Sequence, residues 1–380
     1  LRTKLKLFVA IIFLIIFSPL VQAGEYSPVN YEGMPAGVYT QITPEVELLA
    51  GVLAQTTWID RRGPEGEGNY YFQELQKFFE DYQAHQAIKI AQKLTDRGFT
   101  YDAPLGFIVN LGPLPDLEPK TQFSDYLIGR AEPNNFITKL FGTGGEEILK
   151  DFRLALMDLA EKSDFASFFN QHRADFKIYL KEAMDGFDAG RKINWLSDFT
   201  GINTDNEYYT ILTPAMFPGG GYGPTVELGD GSYQFYQIIR ERGASQTEPD
   251  FPTGVSFNRL TLHEWGHSFI DPAVAAHSQY ILEHLTDHYY EVEASMKSQA
   301  YGSPMTFFRE QILRAVTTVA SGELYGQEYY QEELEHHTNK DFHLTAITVE
   351  MIEQYLVSRD SYNTFEEFVP EILKAYRDLI

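Results

Sequence analysis

The stretch RLTLHEWGHSFIDP, residues 259–272, sets His263 and His267 four positions apart with Glu264 directly after the first. On an α-helix of about 3.6 residues per turn the two imidazoles lie one above the other on one face, where they can converge on a single tetrahedral ion. Glu264 is rotated about 100° from His263, which puts it beside such an ion, in reach of a proton on bound water. The apolar flanks Leu260, Leu262, Phe269 and Ile270 suit a helix packed into a core, and Gly266 leaves room for a close approach. Asp271-Pro272 predicts the helix stop, because a residue before proline is pushed out of the helical region. The competing reading is a core helix with two hydrogen-bonded histidines and an incidental carboxylate.

The chain has no cysteine among its 380 residues, so disulfides, thiolate metal sites and a cysteine-linked lipid anchor are excluded. A transition metal would have to be held by His, Asp or Glu. At the start, Arg2, Lys4 and Lys6 precede an apolar run over residues 7–17, then Ser18, Pro19 and the small-residue site Val21-Gln22-Ala23. That order predicts a signal peptide over residues 1–23 and an extracytoplasmic chain, periplasmic or secreted, which is not a lipoprotein. The net charge of −24 becomes more negative once the three basic residues are removed. Such a surface repels phosphates, so neither nucleic acid nor, after signal cleavage, a membrane is expected as partner.

Neither repeats nor low-complexity tracts interrupt the chain. Thr43 and Pro44 predict a helix start, as N-cap and first helical residue. YYFQELQKFFEDYQAHQAIKIAQKL carries Phe72, Leu75, Phe79 and Tyr82 on one helical face, so His85 reads as structural. Residues 107–111 in PLGFIVNLGPLP predict a short buried strand, and helices are expected near 146–161 and 172–189. YYTILTP and YQFYQIIR read as strands separated by the glycine-rich FPGGGYGPTVELGDGS, taken as a hairpin or wide loop rather than a phosphate cradle because it does not lead into a helix. From Ser256 onward the pattern is mainly helical.

Two histidines need a third ligand. A glycine at 270 and a histidine at 273 would complete a longer metal motif, but Ile270 and Ala273 stand there. The downstream candidates are His277, Glu283, His284, Asp287, His288, Glu291 and Glu310. EHLTDHYYEVE, with Asp287, reads as a solvated acidic helix. GSPMTFFREQILRAVTTVASG starts at an N-cap serine with Pro304 next, and places Glu310 amid Phe307, Ile312 and Val316. A carboxylate in so apolar a helix needs a partner, either a metal or Arg314 four residues on.

LHEWGHSFIDP, QAYGSPMTFFREQILRAV and SRDSYNTFEEFVPEI together resemble a family of bacterial exported domains of unknown function, similar to gluzincin-type zinc metallopeptidases. In that family a glutamate shortly before an Arg-Ala pair follows the HExxHSF segment, and Glu310 with Arg314-Ala315 matches it. FFEDYQAHQAI and DAPLGFIVNL match less specifically, which extends the likeness from about residue 40 to the C-terminus. Arg309 departs from the Asn usual before that glutamate, so the surroundings of Glu310 are expected to differ. The resemblance implies a zincin-like fold, a peptidase acting on peptides or proteins, and Zn²⁺ held by His263, His267 and Glu310.

The resulting expectation is one α+β, zincin-like domain over residues 24–380, with a helical part at about 40–200 and a metal-site part, including a small mixed sheet, at about 201–380. Glu264 is the general base. Tyr222 and His343 are candidates to stabilise the oxyanion that forms in the transition state. A binding protein with a structural or vestigial metal site, or a zinc hydrolase for a non-peptide carbonyl, is the alternative.

Overall fold

The computed structural model describes residues 26–58, 68–132, 144–202, 206–215, 221–241, 248–299 and 301–380. The signal peptide read at residues 1–23 lies outside them, as do residues 59–67 and 216–220. Helices dominate, around one small mixed sheet. Among the described residues no helix is long and apolar enough to cross a membrane.

The sheet contains β1 (Val29–Asn30), β2 (Val38–Ile42), β3 (Glu207–Thr213), β4 (Gly221–Tyr222), β5 (Thr225–Glu227) and β6 (Tyr233–Arg240). Its order is β1-β2-β3-β6-β4, with β5 also paired to β6. β2, β3 and β6 run parallel, whereas β1, β4 and β5 are antiparallel to their neighbours. The two strands read from sequence are therefore adjacent, but not as a hairpin. β4 and β5 run in one register along the far edge of β6, antiparallel to it, and a single turn at residues 228–232 leads from β5 into β6. Parallel neighbours such as β3 and β6 need a long crossover.

The helix Gly254–Ala275 lies on one face of this sheet and carries the two histidines. Its stripe Thr261, Trp265, Phe269, spaced four apart, faces the strands. Trp265 packs on Tyr208 with ring centroids 5.3 Å apart, Phe269 packs on Phe235 at 6.0 Å, and Gln237 donates to the Thr261 hydroxyl at 3.0 Å. Beyond it the helix Pro304–Tyr325 forms the centre of the C-terminal half, capped by the Ser303 hydroxyl, which accepts from the Thr306 amide at 3.2 Å. N-terminal helices build a second apolar cluster, with Leu48, Phe72, Phe107 and Phe165 buried together.

Several local expectations need correcting. Residues 107–111 are no strand: Asp102–Val109 is a helix, buried almost all round. A short apolar run has no periodicity to tell a buried helix from a strand. The long helical segment from Tyr70 breaks into Tyr70–Phe78, a tight turn and Gln86–Asp96. His85 caps the last of these, its Nδ1 accepting from the Ala87 amide at 3.2 Å, the structural role expected of it. Pro272 does not end its helix, which runs on to Ala275 with Ala273 and Val274 buried. Proline removes one rung, and that loss is offset here by packing of the final turn.

Gly266 is where the two central helices meet. A Cβ there would lie 2.6 Å from Leu313 Cδ1, inside any real contact distance. Gly266→Val should therefore destabilise the protein by about 1–3 kcal/mol in urea denaturation. Combined with Leu313→Ala, it should cost less than the sum of the two single changes. Strict additivity would contradict this account of the helix contact.

Candidate metal centre

The helix Gly254–Ala275 distributes its side chains by angle. With the Thr261 stripe on the sheet, His263 and His267 point to the opposite side, toward Pro304–Tyr325. Glu310, on that helix, meets them both. His263 Nε2 is 3.6 Å from Glu310 Oε2, and His267 Nε2 is 3.4 Å from Glu310 Oε1. One donor atom from each of the three residues lies within 4.8 Å of the others.

These separations bear directly on whether the residues fit zinc. Donors about 2.0–2.1 Å from a tetrahedral ion stand roughly 3.3–3.4 Å from one another. Two imidazoles and one carboxylate are also a donor set that zinc accepts, with a position left for water. His267 has the support usual for a ligand, since its Nδ1 lies 3.3 Å from both oxygens of Asp271, leaving Nε2 toward Glu310. The donor set fits.

The alternative partner of Glu310 is present too. Arg314 Nη2 lies 2.8 Å from Oε2, although no aligned hydrogen bond reaches that buried oxygen. The guanidinium is itself held by three other groups. It donates to the Tyr301 hydroxyl at 2.8 Å, approaches His337 Nδ1 at 3.3 Å and stacks 4.5 Å from the Phe342 ring centre. Glu333 extends the chain, with Oε2 2.9 Å from His337 Nε2 and Oε1 2.6 Å from Arg259 Nε, one turn before His263. Metal ligation and ion pairing are thus not exclusive, because Glu310 has two oxygens and Arg314 engages one.

Glu264 occupies the flank of its helix beside β4. A Cβ on Gly221 would fall 2.6 Å from Glu264 Oε1, and one on Gly223 would fall 2.8 Å from its backbone carbonyl and 3.2 Å from Oε2. Gly221 and Gly223 therefore let the backbone pass against this carboxylate, which is only 7% exposed. Burial pushes the Glu264 pKa up to about 7, with the nearby His267 charge opposing and Glu310 adding. Burial, reinforced by Arg314 and His267, holds the His263 imidazole well below its ordinary value. For His267 burial pulls downward, but the Asp271 hydrogen bond and the Asp271, Glu310 and Glu264 charges prevail and carry it up to about 9.

Two expected oxyanion groups are not brought to this cluster. Tyr222 sits between the glycines that face Glu264, so strand alternation turns its ring to the other side of the sheet, into the N-terminal apolar cluster. His343 groups instead with His288 and Glu291. Asp287 is exposed and takes no part, as a solvated helix position should. His277 and His284 engage elsewhere, with the Glu366 carbonyl and with Glu283. Tyr301, His337 and Glu333 were missed by the sequence reading. None has a helical spacing to the histidines that would flag it.

Fold and site together define a mostly helical mixed α/β protein with a half-buried His₂Glu cluster and an adjacent buried carboxylate. By sequence the chain belongs to the DUF4932 family, described as a domain of unknown function, whose model it matches over residues 52–375, a span that contains the whole cluster. No curated protein and no solved structure matches it.

A raised pKa in the metal-free fold means that the fold favours the protonated form. For His267 that contribution is complete below the unfolded value of about 6.5 and is lost as pH rises through about 9. An ion held through the His267 Nε2 would compete with this proton, so zinc added near pH 8 would release about one proton per ion bound. Calorimetry in buffers of different ionisation enthalpy measures it, and Asp271→Asn should reduce the release. Proton-neutral binding at pH 8 would contradict the assignment of His267.

Proposed function

We propose that this protein is a zinc-dependent metallopeptidase with a zincin-like fold, cleaving peptide bonds in peptide or protein substrates outside the cytoplasm. The observation that carries the reading is the convergence of His263, His267 and Glu310 from two helices, with Glu264 one residue along and buried beside them. Zinc bound there would supply Lewis acidity and bring the pKa of water to about 7. Glu264 accepts a proton from the attacking water and returns it to the departing amine. Asp271 keeps the His267 ring oriented, and Arg314 fixes the Glu310 carboxylate while balancing its charge. Tyr301, whose hydroxyl accepts the Arg314 hydrogen bond, is the candidate O–H donor to a developing oxyanion. Burial and the Glu310 charge push its pKa up to about 12, so it keeps that proton. Export rests on the order of charges and apolar residues over 1–23.

The test compares zinc content and hydrolysis of a mixed peptide library among variants of the full chain. Glu264→Gln should retain zinc and lose activity by about 10² to 10⁴, the range for general-base catalysis. Glu310→Gln should lose both, because a neutral amide is a poorer donor to zinc. Tyr301→Phe should retain zinc and lose roughly 10² to 10³ in kcat. Asp287→Asn should leave both intact. If the wild type binds zinc, cleaves nothing, and Glu264→Gln changes no property, the protein is a binding module and the peptidase reading fails.

A further inference from the structure

The second grouping of metal-type donors lies in the C-terminal half, apart from the HEWGH cluster. His288 and Glu291 are three residues apart on the helix Thr286–Ser298, hence on one face. His343 arrives from the turn between the helices Gln327–Asn339 and Thr345–Val357. One donor atom from each residue lies within 4.8 Å of the others, and His343 Nε2 is 4.0 Å from Glu291 Oε2.

Both rings are held from behind. His288 is 5% exposed, and its Nε2 lies 2.9 Å from the carbonyl oxygen of Tyr376. A carbonyl only accepts, so Nε2 carries the proton and Nδ1 keeps its lone pair, the arrangement in which a ligating imidazole is usually fixed. His343 stacks on Phe307 with centroids 5.9 Å apart and planes 22° from parallel. The two imidazole centroids are 5.8 Å apart, against 5.0 Å for His263 and His267. A surface ion pair between His343 and Glu291 would require none of this support for His288.

We infer that His288, Glu291 and His343 form a second site, for a borderline divalent metal ion such as zinc. The ion joins a helix to a distant turn, and through the Tyr376 carbonyl it secures the C-terminal helix Val369–Arg377. Glu291 is largely exposed, so water completes the coordination and the ion exchanges with solvent. The role is structural, and the inference does not depend on the peptidase reading.

The test strips metal from the full-length protein and titrates it with Zn²⁺, following heat and thermal unfolding. Wild type should bind two equivalents, His263→Ala one, His343→Ala one, and His263→Ala/His343→Ala none. Removing a ligand should weaken the second site by more than about 100-fold, above the range for an outer partner. Glu291→Gln, at an exposed position that does not threaten folding, should weaken it in the same direction and reduce the zinc-dependent rise in Tm. If His263→Ala binds no zinc, or binds zinc unaffected by His343→Ala and Glu291→Gln, the second site is overturned. If wild type binds a single equivalent that His343→Ala removes and His263→Ala does not, this site stands and the proposed function falls.

Discussion

The carboxylate of Glu310, buried between two imidazoles and a guanidinium, is the interaction on which the C-terminal half is organised. An ionised carboxylate in so apolar a helix is expensive to desolvate and persists only with partners. Here they come from two helices, His263 and His267 on one and Arg314 on its own. Stripping one member from a buried ion pair commonly costs about 3–5 kcal/mol. The Arg314 pair lies within its own helix, and His267, carried toward its charged form, is the ionic contact that links the two helices. Gly266 assists this packing by leaving the space into which Leu313 Cδ1 fits, a position a Cβ would force that side chain to give up.

The sheet performs a separate task. Its parallel strands β3 and β6 give the HEWGH helix an aromatic floor of Tyr208 and Phe235, against which Trp265 and Phe269 lock its rotation. Once that rotation is fixed, the helical period sends the histidines toward Glu310 and leaves Glu264 on the flank. There β4 covers it with the backbone of Gly221 and Gly223. Metal-type donors and the neighbouring carboxylate thus depend on different parts of the fold, one on helix–helix contact and the other on a short edge strand.

Much of this was legible from sequence because it is periodic. The His263/His267 spacing, the apolar flanks of the helix, the Ser303-Pro304 start and the Glu310/Arg314 pair all follow local helical rules, and the structure brings them together. The strands β3 and β6 were legible from composition, but their parallel pairing was not, since nothing local records which strand lies beside which. The helix at Asp102–Val109 was hidden by being buried on nearly every side. Tyr222 was misplaced because a glycine cluster signals close approach without saying that the backbone, rather than the side chain, makes it. His337 reaches Arg314 from 23 residues downstream, and Glu333 is linked to it only through His337, contacts that tertiary packing alone creates.

Zinc-edge anomalous diffraction from crystals of the zinc-loaded protein bears most directly on the central claim. The account predicts a peak about 2.0–2.2 Å from His263 Nε2, His267 Nε2 and one oxygen of Glu310, with Arg314 still paired to the other oxygen. A protein that takes up zinc yet shows no peak between these three residues, with Glu310 bound to Arg314 alone, would contradict it.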